Sequence, residues 1–268
     1  MSIRPAIATS KAAPTMEGAG VHLHRAFGFN SPQTHDPFLL FDDFRNNNPK
    51  SYLAGFPWHP HRGIETITYV LSGSVTHSDS LGNSGTLTNG DVQWMTAGSG
   101  IMHQEMPTGN AQGQMHGFQL WANLPGYLKM TTPRYQDVQS KDISEIIDDD
   151  GTKVKVITGK FWGRKGPVDG IAADPLYLDI SVPADRRKSF KVDTYRNTFA
   201  YIFEGEGKFA DASTPKGILL EKEVLGQELN IRDMSGNRTL VKFGTGNEIV
   251  VQAGQLGIRF LLIAGTPI

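Results

Sequence analysis

Residues 55–73 read GFPWHPHRGIETITYVLSG, and the two histidines of this stretch, His59 and His61, are separated by one residue. Side chains two positions apart lie on the same face of an extended strand. The pair therefore presents both imidazoles on one side of its strand. The remainder of the stretch is rich in Ile, Thr, Tyr and Val, which favour β-structure.

A second pair of candidate metal ligands lies in residues 90–105, which read GDVQWMTAGSGIMHQE. His103 and Glu105 again share one face of a predicted strand. If the two strands are neighbours, three imidazoles and one carboxylate converge, and such donors suit a divalent transition metal. Glycines that permit tight turns flank both pairs, namely Gly55, Gly63, Gly98 and Gly100.

The donor set favours a reactive metal site over a closed structural one. Four protein ligands leave two positions of an octahedral ion open, as non-haem iron chemistry requires for dioxygen and a substrate atom. Fe²⁺ is therefore the first choice, and Mn, Ni, Co, Cu and Zn remain open. A structural zinc site would be closed by four ligands and often contains cysteine, which this chain lacks.

Glu65 is a second candidate for the carboxylate. It lies an even number of residues from His59 and His61, so its side chain would point to the same face if the strand were regular. Glu65 could replace Glu105 as ligand or general base, accept a hydrogen bond from a ligand imidazole, or pair with Arg62 in the interior. We favour Glu105 as the metal ligand and keep both glutamates as candidate catalytic residues.

Composition excludes several classes of function. The chain has 268 residues, a formal net charge of −1 and no cysteine. Neither nucleic-acid nor anionic-membrane binding has an electrostatic basis in that charge. Disulfides and thiolate sites are absent, which fits a reducing compartment. No apolar run reaches the length of a membrane span, so we expect a cytoplasmic protein.

Thirty glycines and 15 prolines punctuate short runs rich in β-branched and aromatic residues, which predicts an all-β fold of the sandwich or barrel type. The Asn89-Gly90 dipeptide predicts a hairpin. Five side chains near the ligands in sequence could line an apolar pocket for a flat organic substrate: Phe56, Trp58, Met95, Met102 and Met106. The alternative for these five is ordinary core packing.

The two halves of the chain resemble each other. YVLSG (69–73) matches YIFEG (201–205), and FQLWA (118–122) matches FLLIA (260–264) in the same order. We therefore predict two β-barrel domains, 1–138 and 139–268. The first match places Lys191, Asp193 and Asn197 at the positions of His59, His61 and Glu65. All eight histidines precede residue 117, so a histidine-based site belongs to the N-terminal domain.

The motifs HPHRGIETITYVLSG (59–73) and GDVQWMTAGSGIMHQEMP (90–107), together with DPFLLFDDF (36–44), closely resemble the pirin family of the cupin superfamily. The resemblance implies a bicupin, that is, two jelly-roll-type β-barrels packed face to face with metal only in the N-terminal one. Trp58 departs from the family, many members of which have proline or a small residue there. The chain also ends at Ile268, where members usually continue.

The resemblance further implies that His59, His61, His103 and Glu105 bind iron. It implies quercetin 2,3-dioxygenase-like activity on a small aromatic substrate with dioxygen, and for other members a regulatory role through a protein partner. A non-catalytic iron-binding regulator is thus the alternative. A cupin isomerase of sugar phosphates would need basic residues at the pocket, for which Arg62 and Arg134 are the nearby candidates.

Overall fold

A computed structural model describes residues 2–30, 32–170, 172–210 and 234–268. Within these ranges the regular structure consists of β-strands and four single turns of 3₁₀ helix, so the all-β prediction is confirmed. The helical turns are Pro32–Thr34, Pro49–Ser51, Gly126–Leu128 and Ser140–Asp142. No helix in the described part of the chain has the length and apolarity needed to cross a membrane.

The strands are β1 (Ala6–Lys11), β2 (Ala13–Glu17), β3 (Val21–Phe27), β4 (Phe38–Asp43), β5 (Phe56–His61), β6 (Ile64–Ser72), β7 (Ser74–Asp79), β8 (Ser84–Leu87), β9 (Val92–Thr96), β10 (Ile101–Thr108), β11 (His116–Asn123), β12 (Arg134–Val138), β13 (Ser144–Ile147), β14 (Lys153–Thr158), β15 (Lys160–Phe161), β16 (Arg164–Lys165), β17 (Leu176–Val182), β18 (Arg187–Lys191), β19 (Asn197–Phe209), β20 (Ser235–Gly236), β21 (Thr239–Phe243) and β22 (Glu248–Gly265).

The chain forms two compact units, and each is built from three separate segments of the sequence. We call the first the histidine unit, because it contains all eight histidines; it comprises Ala12–Ser144, Val156–Pro175 and Gly265–Ile268. The histidine-free unit comprises Met1–Lys11, Glu145–Lys155 and Leu176–Ala264. A single boundary between residues 138 and 139 does not describe this division, because β1 pairs with β21 and so joins the later part of the chain.

Two antiparallel sheets build the histidine unit, together with the short β15–β16 hairpin. The larger sheet has seven strands in the order β12-β9-β6-β11-β4-β3-β2, and the smaller has four in the order β5-β10-β7-β8. All five residues of β9 are buried, as expected for an inner strand that is covered on both faces. An apolar cluster that includes Val70, Val75 and Met115 forms part of the core.

The hairpin predicted at Asn89-Gly90 is wrong. Gly90 does adopt the positive φ of a turn, at 86°, but β8 pairs with β7 in the four-stranded sheet and β9 pairs with β6 in the seven-stranded sheet. The turn is held by Asp91 Oδ2, which accepts hydrogen bonds from the backbone N–H and the hydroxyl of Thr88. The dipeptide therefore predicts the turn correctly, but the strands before and after this turn belong to different sheets.

In its described residues the histidine-free unit forms one nine-stranded sheet whose main path runs β1-β21-β19-β22-β17-β14-β13. The repeated segments occupy equivalent places in the two units. Those of the first half lie on β6 and β11, which are hydrogen-bonded neighbours. Those of the second half lie on β19 and β22, which are also neighbours. The internal similarity in sequence thus corresponds to a repeated strand pair.

Candidate metal centre

The two candidate ligand pairs lie on adjacent strands, which is the condition that their predicted convergence requires. Strands β5 and β10 are antiparallel, and His103 lies directly opposite His59. The register then shifts, so that Glu105 lies opposite Phe56 rather than Pro57. Such a bulge bends its strand and re-aims the neighbouring side chains. The pairing therefore places both histidine-bearing segments side by side in the four-stranded sheet.

Three ring nitrogens meet at this strand pair. His59 Nε2 lies 3.1 Å from His61 Nε2 and 2.9 Å from His103 Nε2. His59 Nδ1 lies 2.8 Å from the carbonyl oxygen of Pro57, to which it donates. This bond fixes the tautomer and leaves the Nε2 lone pair of His59 for a ligand. Among the described residues these histidines form the one cluster able to hold a metal ion.

The donor set fits a divalent transition metal in both protonation and spacing. Burial, followed by the neighbouring histidines, lowers the pKa of His61 and of His103 from 6.5 to about 3, so both rings are neutral at pH 7, as metal ligation requires. Nitrogens bound to one ion at right angles by bonds of about 2.1 Å lie about 3.0 Å apart. The observed separations of 2.9 and 3.1 Å match that value.

Glu105 is a buried carboxyl group on the same strand as His103. Its Oε1 accepts a hydrogen bond of 3.1 Å from the Thr68 hydroxyl, which also contacts Gln119 Oε1 at 2.6 Å. Burial raises the pKa of Glu105, and the nearby His59 and the Thr68 hydrogen bond oppose the rise. The side chain is thus held on one oxygen, and its proton affinity is above that of an ordinary glutamate.

Glu65 does not join the cluster, because the strand between it and the histidines is not regular. The chain breaks at Gly63, whose φ is 68°, and Glu65 belongs to β6 in the other sheet. Thr68, three residues on, contacts Glu105, so Glu65 faces the opposite side of the sheet. There Glu65 Oε1 accepts a hydrogen bond of 2.7 Å from Thr96. The geometry therefore argues against Glu65 as ligand or base.

Glu65 is a buried carboxyl group on the face of the sheet away from the histidines. Glu65 is 1% exposed, and burial raises its pKa, while hydrogen bonds from Thr96 and Trp94 oppose the rise. The proposed partner Arg62 contacts the sulfur of Met130 at 3.2 Å instead. We assign Glu65 a packing role in the interior of the sheet.

A cavity of about 460 Å³ opens beside the histidines. Of the five side chains expected at an apolar pocket, Phe56 and Trp58 line it. Met95 instead packs in a core cluster with Ala97 and Ile101. Trp121 is a wall residue that the sequence did not single out; its ring packs edge-on against His61 with centroids 4.8 Å apart. The cavity walls are mainly aliphatic and aromatic, as in sites for small organic ligands.

One charged pair also lines the cavity, and sequence reasoning assigned it no role. Asp42 accepts two hydrogen bonds of 2.8 Å from Arg25, and Arg25 forms a further ion pair of 2.8 Å with Glu17. Burial raises the pKa of Asp42, and the hydrogen bond from Arg25 opposes that rise. The signal in the sequence is the acidic end of DPFLLFDDF (36–44).

The basic residues that a sugar phosphate would need lie elsewhere. Arg62 contacts Met130, and Arg134 donates to the backbone carbonyls of Asp169 and Gly170. Among the cavity-lining residues Arg25 is the one arginine or lysine, and Asp42 and Glu17 already engage it. The lining of this cavity therefore offers no phosphate site that would support a sugar-phosphate isomerase.

Comparison with known proteins supports this picture. A sequence profile of the pirin family matches residues 20–122. A pirin-like protein from Caulobacter vibrioides is 40% identical over 269 residues, which cover 100% of this chain and 89% of that protein. The crystal structure of a quercetin 2,3-dioxygenase from Acinetobacter baumannii has a TM-score of 0.82 at 28% identity, covering 99% of this chain and 88% of that one.

A nickel(II) complex of the bacterial pirin YhhW from Escherichia coli shares the fold, with a TM-score of 0.68 at 19% identity, covering 97% of this chain and 99% of that one. The all-β architecture agrees with these structures. The identity to the Caulobacter protein extends along the whole chain. This chain therefore belongs to the pirin family of the cupin superfamily and has a bicupin fold.

Proposed function

We propose that the protein is a metal-dependent dioxygenase that acts on flavonol-like substrates, of the quercetin 2,3-dioxygenase type. The observation that carries the proposal is the convergence of three imidazoles next to an apolar cavity that also contains a buried carboxyl group. The relative from Acinetobacter baumannii, which is named for this activity, supports the same reading. The cavity is of a size suited to one flat, drug-sized ligand.

In this proposal His59, His61 and His103 hold the metal, and Glu105 is the fourth ligand. Iron(II) is the preferred ion, because two open positions beside three imidazoles and a carboxylate suit dioxygen chemistry. When bound, the ion would supply a Lewis acid for the ionised substrate hydroxyl and a redox partner for dioxygen.

The chain's own residues would bind the substrate and handle one proton. Phe56, Trp58 and Trp121 offer apolar surface to the rings. Thr68 donates to Oε1 of Glu105, and Glu105 would leave the metal to accept the proton of the substrate hydroxyl on Oε2. In the metal-free protein burial raises the pKa of Glu105, so a Glu105 released from the metal would be a stronger base than an ordinary glutamate.

The test is oxygen uptake by protein loaded anaerobically with each candidate metal. Iron-loaded wild type should consume oxygen and bleach quercetin. Replacing a general base lowers the rate by roughly 10²- to 10⁴-fold, so we expect a loss of this size in kcat for Glu105→Gln. Glu65→Gln is the matched control, because it removes a buried carboxyl group from the other face of the sheet, and its rate should stay within about threefold of wild type.

Absence of oxygen uptake with every metal would contradict the proposal. Stoichiometric metal binding without turnover would instead favour the alternative, a non-catalytic iron-binding protein that docks on a partner protein. Equal losses in the two glutamate variants would contradict the role given to Glu105.

A further inference from the structure

Polar side chains cross the inner face of the seven-stranded sheet in register. Arg25 on β3 lies opposite Asp42 on β4, and Asp42 lies opposite Gln119 on β11. Gln119 in turn lies opposite Thr68 on β6. All four residues line the cavity, and Thr68 donates to Glu105 at the metal centre. The row thus leads from the proposed metal ligand to a second polar position inside the same cavity.

The remote end of this row carries a net negative charge. Arg25 donates through Nε and Nη2 to the two oxygens of Asp42, and its Nη1 lies 2.8 Å from Glu17. One guanidinium therefore serves two carboxylates. Asp42 is 4% exposed, and each of its oxygens accepts a single bond from Arg25, which leaves lone pairs for another donor. This end of the cavity offers hydrogen-bond acceptors and repels anions.

The separation of the two ends sets the length of ligand that can reach both. Thr68 and Asp42 are on strands two steps apart, and neighbouring strands lie about 4.8 Å apart, so the span is roughly 10 Å. Between and around them the walls include Leu40, Phe44 and Tyr52. A flat aromatic molecule with a polar group at each end fits such a cavity.

We propose that Asp42, held in place by Arg25, is a second anchor that accepts a hydrogen bond from a hydroxyl on the substrate ring remote from the metal. This inference rests on the proposed function and deepens it, because it specifies the substrate class. The class is a neutral flavonol-like compound with a hydroxylated pendant ring. The negative charge of Asp42 excludes a carboxylate or phosphate on that ring. Arg25 does not neutralise this end of the cavity, because its one guanidinium pairs with both Asp42 and Glu17.

The experiment measures binding without turnover. Protein loaded with zinc, which has no redox chemistry, is titrated with three flavonols that carry no, one or two hydroxyls on the pendant ring: galangin, kaempferol and quercetin. Quenching of Trp58 and Trp121, which both line the cavity, reports binding. A hydrogen bond to a charged acceptor makes wild type bind the hydroxylated flavonols about tenfold more tightly than galangin.

Two variants test the assignment to Asp42. The Asp42→Asn protein should lose at least threefold of the hydroxyl preference, and it should gain affinity for a flavone that carries a carboxylate on the pendant ring. The double variant Arg25→Met with Asp42→Leu removes both partners together, which avoids a buried unpaired charge, and it should show no preference. Glu17→Gln is the control; it leaves the Arg25–Asp42 pair in place and should retain the preference.

Retention of the preference in Asp42→Asn and in the double variant would overturn the inference, as would equal affinity of wild type for all three flavonols. Galangin affinity in each variant, expected within about threefold of wild type, shows that the cavity is intact. Oxygen uptake by the iron-loaded protein separates the two proposals. Turnover without a hydroxyl preference defeats only the second anchor, whereas no binding and no turnover defeats the proposed function and the anchor with it.

Discussion

The two units contain an equivalent strand pair, but different side chains face each other in the two pairs. In the histidine unit β5 pairs with β10, and His59 lies opposite His103. In the histidine-free unit β18 pairs with the first half of β22, and Lys191 lies opposite Glu248. The neighbouring repeat residues Tyr69 and Tyr201 are both fully buried. Buried tyrosines therefore recur at matched positions of the two units, whereas histidines occur in one unit alone.

The largest expected effect is on metal binding. His59→Ala removes one of three converging nitrogens, and we expect metal content to fall from about one ion per chain to background, because the site then retains too few ligands. Lys191→Ala changes the matched position in the histidine-free unit and should leave metal content unchanged. Elemental analysis of both purified variants makes the comparison. Full metal content in His59→Ala would show that the histidine cluster is not the site.

A matched pair of core variants tests whether the two scaffolds are equivalent. Phe118 and Phe260 occupy matching repeat positions and are both fully buried. Truncation of such a ring to alanine should lower the free energy of unfolding by about 3–5 kcal/mol in each case. Urea unfolding measures this cost, and metal content below the transition should be normal for both. A cost more than twice as large at one position would argue against equivalent packing.

Acid should affect the histidine unit first. In the metal-free folded protein the pKa of His61 and of His103 is lowered from 6.5 to about 3, so between these values the unfolded chain binds more protons. The free energy of unfolding should therefore fall as pH drops below 6.5, by about 1 kcal/mol per imidazole between pH 6 and pH 5. His103→Gln should show a shallower loss.

Tryptophan fluorescence can follow this transition selectively. All four tryptophans belong to the histidine unit, so urea unfolding monitored by their emission at several pH values reports on that unit. Added zinc should move the acid limb to lower pH, because metal and protons compete for the same imidazoles. An acid limb that is identical in wild type and His103→Gln would contradict the assignment of the pH dependence to these rings.

Much of the site follows from strand periodicity. The spacing His59-x-His61 and His103-x-Glu105 predicted two facing pairs, and the pairing of β5 with β10 confirms their adjacency. The all-β class followed from the distribution of glycine, proline and β-branched residues. These features depend on local backbone geometry, which a short sequence pattern specifies well.

The rest depends on long-range geometry that a local pattern does not contain. Strand alternation predicted that Glu65 would lie on the same face as the histidines. The break at Gly63 instead places it in another sheet and on the opposite face. Asn89-Gly90 predicted a turn correctly and its destination wrongly. The pairing of Asp42 with Arg25 joins residues on two strands whose adjacency no spacing rule predicts.

The short length of β18 has a consequence for protein engineering. That strand ends at Lys191. The repeat aligns Asp193 with His61, but Asp193 lies in a turn, where its carbonyl oxygen accepts a hydrogen bond from the backbone N–H of Arg196. Histidines substituted at 191 and 193 would not share one strand face. Transplanting a metal centre into the histidine-free unit would therefore require extending β18 by about two residues before any ligand is introduced.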